Sequence, residues 1–165
     1  MWKNYWEYFK TTLKHKRYVG KECFRVGLYW QGIMHDMSKF GKTEFVRNAK
    51  FFCGKYSPHD NERVVAWYSL SRLHHKGHNP HHRSYWIDID HKDWKVYPIA
   101  MPEKYILEMC CDMIGAGKVY NKEKFNNTEP LIYWKEQINK DLIHPETAAK
   151  VAAYLEHYAL YWTLK

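Results

Sequence analysis

Apolar residues recur at spacings of three and four along most of the chain, the period of helices that bury one face. Trp2, Tyr5, Trp6, Phe9 and Leu13 form a first stripe, uninterrupted until Gly20. A second runs from Glu22 through Phe24, Leu28 and Tyr29 to Ile33, and Lys39-Phe40-Gly41 closes it, with Gly41 as the stop. Thr43 to Phe52 reads as a short helix burying Phe45, Val46, Ala49 and Phe52. After the loop from Cys53 to Pro58, Asp60 or Asn61 caps a helix carrying Val64, Val65, Trp67, Tyr68, Leu70, Ser71 and His74, which Gly77 breaks. On that phase His74 points inward and His75 is rotated about 100° toward the cleft edge.

Ile87 to Pro98 keeps no period and reads as a long loop or small hairpin over the cleft, a lid. Pro102 opens a helix with the stripe Tyr105, Ile106, Met109, Cys110 and Met113, which Gly115-Ala116-Gly117 ends. Residues 118–128 are polar and read as a loop. Glu129 to Asn139 and Pro145 to Leu164 are two closing helices, the latter burying Val151, Ala152, Leu155, Tyr158, Ala159 and Trp162. The pattern predicts an all-α fold in one domain over residues 1–165, because 165 residues bury one substantial core but not two.

No apolar run approaches the roughly 18–20 residues needed to span a bilayer, so no membrane partner is expected. The start of the chain has no apolar run of signal-peptide type, and a cytoplasmic setting is expected. Cys23, Cys53, Cys110 and Cys111 show no Cys-x-x-Cys spacing and read as reduced, buried thiols. The net charge of +8 is concentrated early: residues 1–50 carry eleven Lys/Arg against four Asp/Glu. That local field suits an anionic ligand such as a nucleotide, a phosphoester or nucleic acid, although a solvated basic face is the commoner meaning of such an excess.

The chemistry centres on Ile33-Met34-His35-Asp36-Met37-Ser38-Lys39-Phe40. An imidazole beside a carboxylate suits a borderline divalent cation, and an ammonium three residues on can reach an anion held by the same cation. Five of the eleven histidines fall between 74 and 82, interleaved with Asn, Pro and aromatics in mid-chain. Glu108 and Asp112 lie four apart on an apolar helix, where a carboxylate is costly unless paired or metal-bound. His15 ends the first stripe within a basic patch. His59, His78 and His91 have no carboxylate or inward stripe to pair with and read as incidental; His144 reads as structural and His157 as a surface residue. For Tyr85 and Trp86, core packing competes with stacking on a substrate.

The order His15, His35-Asp36, His74-His75, His81-His82, Asp112 resembles the HD-domain metal-dependent phosphohydrolase superfamily. His35-Asp36-Met37-Ser38-Lys39 is similar to the His-Asp-x-Gly-Lys of its HD-GYP branch, Leu73-His74-His75-Lys76 to its later His-His-Glu, and Ile106 to Asp112 to the helix holding its last aspartate. Ser38 stands in place of the glycine, Lys76 in place of the glutamate, and Asn79-Pro80-His81-His82 where Gly-Tyr-Pro would follow. Cyclic-dinucleotide cleavage is therefore not carried over. The chain also looks similar to a compact bacterial and phage family sharing the His-Asp-x-Ser-Lys-Phe and His-His-Lys-Gly stretches.

The resemblance implies an HD-like bundle with one or two divalent transition metals (Mn, Fe, Co, Ni or Zn) between helices. His15, His35, Asp36 and Asp112 would hold the first, and Asp36 would bridge to a second completed by His74 and by His81 or His82; the set taken forward is His15, His35, Asp36, His74, His82 and Asp112. Lys39 and Arg83 would neutralise phosphoryl oxygens, Trp86 would stack on a base, and His75 or Glu108 would move a proton, with Asp36 and Lys39 at the reacting centre. The expected function is hydrolysis of a phosphomonoester or phosphodiester of a nucleotide or related compound. Two alternatives stand beside it: an HD-like di-iron oxygenase, and a basic, aromatic-rich nucleic-acid-binding module without catalysis.

Overall fold

A computed structural model describes residues 2–55, 57–140 and 142–165 of the chain, leaving aside the side chain of Lys140. It is mainly α-helical: α1 (Trp2–Arg25), α2 (Tyr29–Met34), α3 (Lys42–Phe51), α4 (Pro58–Ala66), α5 (Leu70–His78), α6 (Glu103–Tyr120), α7 (Glu129–Gln137) and α8 (Pro145–Tyr161). The strands β1 (Ile87–Ile89) and β2 (Val96–Pro98) form an antiparallel hairpin with Asp88 opposite Tyr97. No helix among the described residues is long and apolar enough to cross a membrane.

The apolar core lies between α1, α6, α7 and α8, where Val19, Ile106, Ile114, Trp134, Val151, Leu155 and Tyr158 are buried. Gly115 of α6 sets how closely α1 approaches: a Cβ there would stand 2.5 Å from Val19 Cγ2. One turn to either side, His15 meets Asp112 and Glu22 meets Lys118. These pairs climb both sequences together, so α1 and α6 pack side by side in the same direction.

Four glycines expected to interrupt or end helices lie inside them. Gly20 falls within α1, which absorbs the first part of the second expected helix, and Gly77 falls within α5. Gly115 and Gly117 lie within α6, where the missing Cβ serves close packing: at Gly117 it would stand 2.6 Å from the Phe125 ring. A glycine tolerated for contact costs a helix only about 1 kcal/mol, so tertiary packing overrides its breaking tendency.

The segment expected to be one helix from residue 60 to Gly77 is instead α4 and α5, broken where Trp67 takes a left-handed conformation (φ 67°) and Ser69 caps α5 by accepting from Arg72 N–H at 3.1 Å. Val64, Val65 and Trp67 are consequently exposed, the last at 95%, and not part of a buried stripe. Cys53 is likewise exposed, whereas Cys23, Cys110 and Cys111 are buried.

Candidate metal centre

Residues 35 and 36 leave α2 at a point fixed by α1. The Lys16 ammonium donates to the carbonyls of Ile33 at 2.6 Å and His35 at 2.8 Å, satisfying the open end of the short helix. Gly32 lets α2 lie against α1, because a Cβ there would stand 2.8 Å from the Phe24 ring. Asp36 follows in the left-handed region (φ 55°, ψ 25°), a conformation aspartate tolerates better than most residues and one that concentrates at functional sites. Its carboxylate, 1% exposed, is thereby turned into the protein.

Around that carboxylate the chain gathers imidazoles from four places. His15 Nε2 of α1 is 3.5 Å from Asp36 Oδ2 and 3.0 Å from Asp112 Oδ1 of α6. His35 Nε2 is 3.4 Å from Asp36 Oδ2 and 3.5 Å from Asp112 Oδ1. On the other side of Asp36, His75 Nε2 of α5 is 3.3 Å and His81 Nε2 is 3.4 Å from Oδ1. Two sets of four that could hold a metal ion result, sharing one residue: His15, His35, Asp36 and Asp112, and Asp36, His75, His81 and His82.

The separations fit the chemistry. Donor atoms lying about 2.0–2.1 Å from one cation are themselves about 3.0–3.4 Å apart in octahedral or tetrahedral order. Moreover, Nε2 of His15, His35, His81 and His82 and both oxygens of Asp36 are buried without a hydrogen-bond partner. Unpaired buried polar atoms are costly one by one, and a metal ion is one group that could satisfy those gathered here.

The rear nitrogens of three of these rings are fixed by carboxylates. Glu108 Oε1 accepts from His35 Nδ1 at 3.0 Å and lies 3.2 Å from His81 Nδ1, and Glu44 Oε2 accepts from His75 Nδ1 at 2.9 Å. A carboxylate behind an imidazole holds the tautomer whose other nitrogen is bare and raises its basicity, the arrangement found behind histidines that ligate metals. Glu108 thus sits behind the rings, at a distance from the cavity where a proton-moving group was expected. Glu44 was not singled out in the sequence, since a lone acid in the first turn of a short helix reads as a favourable helix-terminus charge.

Charge follows position. Burial disfavours charge on His35, but Asp36, Asp112 and Glu108 outweigh it and hold its pKa well above the ordinary value. Burial likewise opposes ionised Asp36, yet His35, Lys39 and His75 hold it well below the usual carboxylate range; His15 and His35 do the same for Asp112. Burial pushes His82 far down, aided by His81 and His75. Lys39 Nζ lies 2.5 Å from Asp36 Oδ2, a close ion pair.

A cavity of about 490 Å³ opens onto the centre at His15, Lys39, His75, His82 and Asp112. Its lining includes no residue of the β1–β2 hairpin, so the hairpin is not the lid expected of it. Nor does it include the two other residues expected at a substrate. Arg83 donates to the Gln137 carbonyl at 3.0 Å, and the Trp86 indole N–H donates to the Pro80 carbonyl at 2.7 Å while its ring packs against Tyr105.

His74 and His75 exchange the orientations expected of them. His75 is buried at the centre, while His74 turns outward, pairs with Glu44 Oε1 at 2.7 Å and stacks on His78. His59, read as incidental, is buried on the cavity wall. His144 caps α8 by accepting from Glu146 N–H at 3.3 Å, and half-buried His157 pairs with the Thr163 carbonyl.

Fold and site together define a mainly α-helical protein with buried clusters of histidine and carboxylate that could hold a metal ion. The chain belongs to the family described as "Family of unknown function (DUF5662)", whose model matches residues 4–157. No curated protein and no solved structure matches it.

Proposed function

We propose that the chain is a metal-dependent phosphohydrolase, a single-domain bundle of HD type acting in the cytoplasm on a phosphoester of a nucleotide or related compound. The observation that carries this reading is the set of buried donor atoms on His15, His35, Asp36, His81 and His82, the four imidazole Nε2 among them without a hydrogen-bond partner, arranged about one shared carboxylate. One or two divalent cations bound there would supply Lewis acidity toward a phosphoryl oxygen and an attacking water.

The chain's own residues supply the rest. Lys39, beside Asp36 and open to the cavity, offers an ammonium to a non-bridging phosphoryl oxygen. Asp112, 22% exposed in its side chain where Asp36 is 1%, is the ligand carboxylate open to the cavity. Glu108 and Glu44 hold the imidazoles with their Nε2 lone pairs forward.

Protein purified without chelator and assayed against phosphatase and phosphodiesterase substrates with Mn, Co, Ni, Fe or Zn should release phosphate or open a diester. Full activity and full metal content in both His35→Ala and Asp36→Ala would sink the assignment. The nitrogen-rich donor set suits iron as well as manganese. Anaerobic purification followed by an iron assay and a spectrum on air exposure separates a hydrolase from a di-iron oxygenase.

A further inference from the structure

The cavity wall beside His75, on whose ring His59 stacks at 5.9 Å, carries a hydrogen-bonded relay that the proposed hydrolysis does not use. Glu62, 2% exposed, accepts from Arg47 Nη1 at 3.0 Å through Oε1, and from Ser69 Oγ at 2.5 Å and Ser71 Oγ at 2.7 Å through Oε2. These three donors hold the carboxyl below its usual pKa despite the cost of burial, so Glu62 is ionised and only accepts. Each serine has one hydroxyl hydrogen, and both are committed to Glu62. Ser71 Oγ, which also lies 3.0 Å from Ser69 Oγ, therefore has only lone pairs left for His59 Nδ1 at 3.0 Å. That contact requires an N–H on Nδ1.

A neutral imidazole with its hydrogen on Nδ1 has a bare lone pair on Nε2. His59 lines the cavity, its Nδ1 edge faces Ser71, and Nε2 has no hydrogen-bond partner among the described residues. Lys39 and Arg72 lie near it, and the lining also includes the rings of Phe52, Tyr120 and Tyr133. The cavity thus offers cations at the carboxylate centre, suited to an anion, and an uncharged acceptor beside them.

Resting on the phosphohydrolase reading, we infer that His59, locked in the Nδ1–H tautomer by Ser71 and Glu62, is a substrate-binding residue whose Nε2 accepts from a hydroxyl on the organic part of the phosphoester. The site would then favour phosphoesters of polyhydroxylated alcohols, such as sugar phosphates, over those of alcohols with no donor.

The test uses the full chain loaded with diamagnetic Zn²⁺ and long-range ¹H–¹⁵N spectra of the imidazoles. His59 should appear as the Nδ1–H tautomer, and its Nε2 resonance should move toward the protonated range with ribose 5-phosphate but not with inorganic phosphate. An Nε2–H tautomer, or the same Nε2 response to both probes, overturns the inference. His59→Asn keeps an N–H for Ser71 but does not reach the Nε2 position. Its KM for ribose 5-phosphate should rise about tenfold more than its KM for p-nitrophenyl phosphate, the loss of one hydrogen bond; equal rises contradict the role. Wild-type protein inactive on both esters with every metal would instead fail the hydrolase reading, and the spectra would still decide the tautomer and the acceptor.

Discussion

Helix α6 carries two kinds of interior on its two sides. Toward α8 it presents Ile106, Cys110 and Ile114, apolar side chains with no exposed surface. Toward α1 and α2 it presents Glu108 and Asp112, which meet His35, His81 and His15. The first region is held mainly by the burial of apolar surface, although the Trp134 indole N–H and the Tyr158 hydroxyl are buried there without a hydrogen-bond partner. The second is equally enclosed yet leaves donor atoms on five residues unpaired. On the proposed reading this interior serves a metal ion, and the contrast says which perturbations should injure stability and which should injure binding.

The largest effect is expected at the shared carboxylate. Asp36→Ala should abolish metal retention at both sets at once and lower any phosphohydrolase rate by about 10³-fold or more, the scale of losing an electrostatic anchor in a dry site. His15→Ala should remove one ion's worth of metal and leave the other, as elemental analysis of the two variants would show. On the apolar side, Ile114→Ala should cost about 2–5 kcal/mol in denaturant unfolding. Metal content per folded chain should not change. If Ile114→Ala depleted metal as severely as Asp36→Ala, the two regions would not be separable.

A smaller loss is expected one layer out. Glu108→Gln keeps size and hydrogen bonding but removes the charge behind His35 and His81, and should weaken metal affinity about 10–100-fold in a competitive chelator titration. Unchanged affinity would show that Glu108 serves packing alone.

The mildest effect is in pH dependence. Burial, with Lys39, His75 and Arg72 nearby, pushes His59 down to about 3. Its unfolded value is about 6.5, so the stability it contributes is present above that and lost as pH falls toward 3. Between about pH 6 and 4, wild-type stability should therefore fall about 1.4 kcal/mol per pH unit more steeply than that of His59→Asn. Parallel slopes would mean that His59 titrates normally.

Much of this arrangement was legible before any coordinates. The resemblance to the HD-domain ligand order implied that His15, His35, Asp36 and Asp112 meet, and these four do lie together. The phase of α5 was not legible: Trp67 in a left-handed conformation resets the helix, so inward and outward exchange between His74 and His75. Glu44 and His59 lie near the starts of α3 and α4, where polar residues ordinarily serve the helix terminus. Their roles come from neighbours distant in sequence: His75, 31 residues beyond Glu44, and Ser71, 12 beyond His59. Glycines mislead in the same way, since Gly115 reads as a stop until Val19 is seen against it.

Anomalous diffraction from crystals grown with Mn²⁺ or Zn²⁺ tests the central claim most directly. Two peaks flanking the Asp36 carboxylate, one toward His15 and Asp112 and one toward His75 and His81, are the predicted result. A protein that takes up no ion there at saturating metal, its donor atoms hydrogen-bonded to ordered water instead, would contradict it.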